Sequence, residues 1–271
     1  MPGENNDGTE RDAPIRQLPQ TTRLSTVGVL RTVLRRIRRD PVLAVPFLAV
    51  GGLIALVDWL RTHDPIPATA SEALSQSVSL QYSVLPHGVA RTARHVDALI
   101  DLKTPYFLWA VGLELVVPLA VGTAGWLTIA WALEIQPRLR ALGRYLIVLI
   151  SIISIPRVLG VSSINLDSFL LGLALLAVLL FVFVRLFLFP AFLVSGCGFM
   201  PALRQSRRRS RGDGMTIGGL IFVLGLAYWG LATVPIVGAF LSTALVAPVH
   251  AVALGVLTST ETGAVGANPS E

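Results

Sequence analysis

Residues 185–211 read RLFLFPAFLVSGCGFMPALRQSRRRSR: an apolar run, a break at Pro190, a Gly196-Cys197-Gly198 turn and a block of arginines. Guanidinium groups cannot follow an apolar run into hydrocarbon, so this stretch marks the place where the chain leaves a bilayer. Pro190 ends the preceding span, and the two glycines permit a turn. Phe199, Leu203 and the aliphatic stem of Arg204 can then lie at the interface, with Arg207, Arg208, Arg209 and Arg211 against lipid phosphates.

The rest of the chain agrees. Hydrophobic residues make up 53% of it, charged residues only 14%, and the mean hydropathy is +0.69. Soluble domains carry about a quarter charged residues, so this core is expected to face lipid. Six apolar runs are long enough to cross about 30 Å of hydrocarbon. They lie near 41–60, 105–133, 145–161, 168–189, 215–234 and 237–257. The fold class is therefore all-α, a polytopic membrane helix bundle in one domain at 25–257. Polar tails at 1–24 and 258–271 have the composition of disordered chain.

Two further helices are expected outside the spans. In Ser25–Asp40, Val27, Leu30, Leu34 and Ile37 recur at helical spacing among five arginines, the pattern of a basic amphipathic helix on a membrane surface. The long segment Arg61–Thr104 exceeds a plain connector. Within it Val89, Ala93, Val96 and Ile100 align opposite Arg91, Arg94, Asp97 and Asp101, which predicts a surface helix capping the bundle. A ligand-binding lid is the sharper alternative. No cleavable leader is visible, so the first span is expected to act as an uncleaved anchor.

Orientation follows from the basic residues beside the spans. The N-terminal segment carries eight, the 134–144 turn three and the 190–214 segment five, all on one side of a six-span arrangement. The 61–104 segment carries four over a greater length, and the two short turns on its side carry none. Both termini are therefore expected in the cytoplasm of a cell whose plasma membrane holds the spans. The net charge of +6 sits at span ends, which points to orientation and anionic headgroups rather than nucleic acid. A cytoplasmic or membrane protein docking on Arg185, Arg204, Arg207, Arg208, Arg209 and Arg211 is the rival to lipid contact there.

Ionisable groups within spans are functional candidates by default. Glu114, nine residues into the second span and about 13 Å deep, and Arg157, near the outer end of the third, run in opposite directions and can meet. An ion pair is the preferred reading; a proton or cation site in a transporter is the alternative. His250 in the last span reads as a helix-contact residue. Ala247, Ala251 and Gly255, with Gly238 and Ser242 above them, form a small-residue stripe for close helix packing. Pro118, Pro156 and Pro248 can kink their spans.

Catalytic signatures are not found. The chain contains no HExxH, no GxxxxGK[ST] and a single cysteine, Cys197, which excludes an internal disulfide or a multi-cysteine metal site. Ser195 and His250 do not fit an intramembrane serine protease, because the first glycine of the nucleophile turn is missing. No cofactor or enzymatic activity is expected.

Arg185, Pro190, Gly196-Cys197-Gly198, Ala202-Leu203-Arg204 and Ser206 form an ordered pattern. An arginine near a span's end precedes a proline, a glycine turn and a short helix reading A-L-R-x-S. This pattern resembles the YciC-like proteins and the membrane domain attached to some glycerophosphodiester phosphodiesterases. The resemblance implies a similar layout of spans from Pro105 onward, without the catalytic phosphodiesterase domain. A structural, envelope-related or accessory role is the leading expectation, and a transporter or permease subunit using Glu114 and Arg157 is the second.

Overall fold

The computed structural model describes residues 25–66, 69–70, 84–86, 88, 92–94, 102–158, 169–235 and 237–265. The expected disorder of residues 1–24 falls outside them. So do Val89, Arg91, Val96, Asp97, Ile100 and Asp101 of the expected loop helix, and so does the side chain of Arg157.

The protein is an α-helical membrane bundle, with five helices long and apolar enough to span a bilayer among the described residues. They occupy Pro41–His63, Thr104–Ala132, Leu173–Val194, Gly214–Ala232 and Gly238–Ser259. The third expected span is α4, Leu139–Val158, which packs on α3, Thr104–Ala132. At 20 residues it is about 30 Å long and stands outside those five; α5, Phe169–Leu186, is the next described helix.

The amphipathic segment forms α1, Thr26–Arg39, whose N-cap Ser25 accepts a hydrogen bond from Gly28 N at 3.0 Å. Arg36, Arg38 and Arg39 in its last turn complement the helix dipole. This helix docks on the bundle, along α8 (Gly214–Ala232) and α10 (Ala247–Val265). The docked face differs from the expected one. Val29 and Val33 are buried and Leu30 and Ile37 pack partly, whereas Val27 and Leu34 stay exposed. The cause is a close approach at one end, where Thr26 donates to Thr216 O at 3.2 Å and a Cβ on Gly219 would lie 2.6 Å from Thr26 Oγ1.

A short helical turn at Pro41–Ala44 leads into α2, Val45–His63, with Pro46 in its first turn, where a missing N–H costs nothing. Phe47, Val50, Ile54 and Val57 form its buried stripe. α3 runs unbroken through Pro118 and buries most of its second half, from Val121 to Ala132. Its first turns expose Tyr106, Phe107, Leu108 and Trp109. α3 closes at Glu134, whose φ of 57° is the left-handed cap that lets Ile135 N reach Ala130 O at 3.1 Å.

The break in residues 185–211 comes earlier than expected. α5 ends at Leu186 and α6, Phe189–Val194, restarts with Pro190 in its first turn. Proline opens this helix instead of ending the previous one, and every residue from Phe187 to Val194 is buried. α7, Phe199–Arg209, follows the Gly196 turn, whose φ of +95° requires glycine.

The last apolar run lies at the centre of the molecule. α9, Gly238–Leu241, passes through a π-helical turn at Ser242–Val246 into α10. Pro248 cannot donate to Ala244 O and its ring would crowd that carbonyl, so the wide turn absorbs the conflict. Ala247, Ala251 and Gly255 are buried as the small-residue stripe predicts, and a Cβ on Gly255 would lie 2.7 Å from Ala132 Cβ of α3. α10 also continues to Val265, so residues 258–265 are helix where a disordered tail is expected. Thr258 and Ser259 hydroxyls bond back to Leu254 O and Gly255 O, at 2.8 Å each, which keeps these polar residues inside the helix.

Candidate functional site

The segment between α2 and α3 enters the bundle. Two-residue strands β1, Thr69–Ala70, and β2, Thr92–Ala93, pair antiparallel, so the expected surface helix does not form at Thr92–Arg94. Between the strands Val84, Leu85 and Pro86 are buried, Leu85 completely. A Cβ on Gly88 would meet Ile54 Cδ1 at 2.4 Å, Thr243 Oγ1 at 3.1 Å and Val121 Cγ2 at 3.2 Å. These walls belong to α2, the π-helical turn and α3. Ile54 is nine residues from the end of α2, or about 14 Å down the helix. Deeper still, Pro86 approaches Gly125 of α3 beside the buried hydroxyl of Tyr145. Non-helical backbone is tolerated at such depth only where protein or water covers it, and here protein does.

A cluster of charges fastens this segment from above. Arg61, in the last turn of α2, is 3% exposed. Its guanidinium donates to Thr92 O at 2.8 Å and Leu113 O at 3.2 Å, and pairs with Glu114 Oε1 at 2.8 Å. Asp58 Oδ1 lies 3.9 Å from the same guanidinium and accepts from Thr92 N at 3.1 Å and Thr92 Oγ1 at 2.6 Å. Both backbone groups of Thr92 are thus held by α2. A second pair, Arg94 with Asp64, buries the other arginine, and Trp109 Nε1 donates to Asp64 Oδ2 at 3.2 Å. Ile66 N closes the corner on Asp64 Oδ1 at 3.1 Å. Among the described residues, three carboxylates face two guanidiniums, and the carbonyls of Thr92 and Leu113 accept from Arg61 as well.

Glu114 therefore has a partner that the sequence reading left in the loop. It is level with Arg61 in the last turn of α2, because the first turn of α3 precedes Trp109, which already meets the end of α2 at Asp64; it does not lie deep among the spans. The expected pairing with Arg157 falls on a side chain outside the described residues. Asp58, Arg61, Asp64, Thr92 and Arg94 were not singled out, yet one signal points to two of them. Phe47, Ile54 and Arg61 recur at seven-residue spacing with Asp58 beside them, so the buried stripe of α2 runs straight into the charges.

The arginines of the opposite face divide by role. Ala202, Ser206 and Ser210 turn inward at four-residue spacing, and Ser206 Oγ donates to Arg185 O at 2.7 Å. This is the physical content of the A-L-R-x-S pattern: small residues seat α7 on the end of α5. Arg185 lies 4.9 Å over the Phe181 ring and donates to Arg207 O at 3.4 Å, so it holds α7 in place. Arg204, Arg207, Arg208 and Arg211 are exposed, while Arg209 is half-buried over Phe192. On the same face Arg36 pairs with Glu134 at 2.8 Å, tying α1 to the end of α3.

Ser195 Oγ donates to Ala191 O at 2.8 Å, and His250 stacks on Phe187 with centroids 5.4 Å apart. Among the described residues no group of His, Cys, Asp or Glu side chains is placed to hold a metal. No family model, curated protein or solved structure matches the chain.

Proposed function

We propose that the chain is a non-enzymatic multi-pass protein of the cell membrane with a structural or accessory role in the envelope. Its arginine-rich face and both termini lie in the cytoplasm, against anionic headgroups, and its loop face points outward. The observation that carries this reading is the engagement of Arg61. Its buried guanidinium is used to hold Thr92, Leu113 and Glu114 together. Such an arrangement closes the outer end of the bundle. The chain would then be a relative of the YciC-like proteins, a reading supported by the inward placement of Ala202 and Ser206.

Transport is the second reading, favoured by the combination of a re-entrant segment with a helix interrupted by a π-helical turn. One experiment separates the two. A single cysteine is placed at the fully buried Leu85, where it is smaller than the residue it replaces, in a Cys197→Ser background and exposed to a small water-soluble thiol reagent. Protection in this variant, with labelling appearing once Arg61→Leu is added, supports the closed structural reading. Fast labelling with Arg61 intact would mean a hydrated path, and transport would take its place.

A further inference from the structure

A groove runs between α2 and α3 toward the arginine-rich face, in two recesses. The first, about 380 Å³, lies within the spans, with Pro46, Val50, Ala120, Thr123 and Leu127 in its lining. The second, about 480 Å³, opens at the ends of the same elements, where Asp40, Val42, Trp131 and Glu134 meet. One helical turn joins the recesses on each wall, from Pro46 to Val42 and from Leu127 to Trp131. Beneath them the buried Thr128 donates its hydroxyl to Leu43 O at 3.3 Å and fastens the two walls together. We propose that the groove holds one phospholipid with a primary-amine headgroup. Its acyl chain follows α3, and its ammonium lies at Asp40, Glu134 and Trp131. The inference goes beyond the contact of surface arginines with anionic headgroups and needs only that these helices span a bilayer.

Length and charge select this occupant. From Val116 to Leu127 the first recess follows α3 for about 16 Å. One leaflet of a hydrocarbon core about 30 Å thick has the same depth. Ala120 and Ala124 keep the trough open where larger side chains would fill it. At the other end the charges come as a pair. Arg36 Nη2 lies 2.8 Å from Glu134 Oε1, and the Glu134 side chain stays 83% exposed, so this carboxylate can accept a further donor. Asp40, exposed at the C-cap of α1, lines the same recess. A zwitterionic headgroup presents the matching pair, phosphate for Arg36 and ammonium for the two carboxylates. Trp131 adds an indole ring, the aromatic face that attracts cations best, at the depth where interfacial tryptophans lie. A primary ammonium offers three N–H donors to carboxylate oxygens, and a trimethylated one offers none. The chemistry therefore favours phosphatidylethanolamine over phosphatidylcholine.

The full chain would be freed of co-purified lipid in detergent and titrated with phosphatidylethanolamine or phosphatidylcholine carrying the same acyl chains. Native mass spectrometry counts the lipid retained. The unaltered chain should hold one phosphatidylethanolamine about tenfold more tightly than phosphatidylcholine, the scale of one charge-assisted hydrogen bond. Asp40→Asn should remove most of that preference. Thr123→Phe fills the groove from an exposed position and should weaken both lipids together. Equal retention of the two lipids by the unaltered chain, a preference that survives Asp40→Asn, or unchanged binding in Thr123→Phe would overturn the site. A chain with Arg204, Arg207, Arg208 and Arg211 all changed to Gln tests the broader surface. It should lose retention of phosphatidylglycerol yet keep the preference for phosphatidylethanolamine, so the two readings can fail separately.

Discussion

Arg61 shows how one side chain can set the state of a loop. Its guanidinium has two carbonyl acceptors and a carboxylate in contact, which a lysine ammonium on a flexible stem cannot reproduce in the same plane. Arg61→Leu removes the guanidinium paired with Glu114 and frees Thr92 O, leaving Thr92 held through Asp58 alone, so it should lower stability by about 3–5 kcal/mol, the scale for breaking a buried pair from one side. Thermal unfolding in detergent checks this. Glu114→Gln keeps an acceptor for Arg61 and should cost clearly less; equal losses would show that the two residues do not share one cluster. Gly88 offers a second comparison at this scale. Gly88→Ala places a methyl against Ile54, Thr243 and Val121, whereas Gly52→Ala meets nothing within 4 Å. The first should lower the melting temperature and the second leave it unchanged or slightly raised, since alanine favours the helix.

At the scale of elements, the small face of α7 and the π-helical turn each make a prediction. Ser206→Leu removes the bond to Arg185 O and forces a branched side chain into a fully buried position. It should detach α7, seen as faster amide exchange over 199–209 while the spans stay protected. Pro248→Ala restores a donor to the last span and removes the reason for the wide turn. A regular helix there would rotate Gly238–Leu241 by about 100°, one residue's worth, and lift Phe240 from Gly51. Loss of that contact, read by cross-linking, is the expected result.

These elements also show what the sequence could reveal. Apolar runs were legible because lipid imposes a length and a composition on anything that crosses it. The docking of α1 was half legible: its amphipathicity was plain, but the choice of Val29 and Val33 over Val27 and Leu34 depends on the groove beside Gly219. The break after α5 was misplaced by three residues because proline favours the first turn of a helix as readily as the end of one. The re-entrant segment was not legible at all. Its described buried residues, Val84, Leu85 and Pro86, carry no periodicity and read as loop in any composition window.

For the whole molecule, the order of burial runs against the order of the chain. α10, the last of the described helices, contacts α1, α3 and α6, and its residues from Ala251 to Thr258 are all buried. Domains usually fold from the N-terminus as synthesis proceeds. Here the ribosome delivers α10 after the other described helices, and α1 has no partner on α10 until then. A nascent chain stopped before Ala247 would hold every lipid-facing span but none of α10. Such a truncation should insert into the membrane yet leave the Val29–Val33 face open to protease, whereas the complete chain protects it. The bundle would then close only when α10 arrives, and a membrane protease cutting at α1 could tell a chain that holds α10 from one interrupted before it.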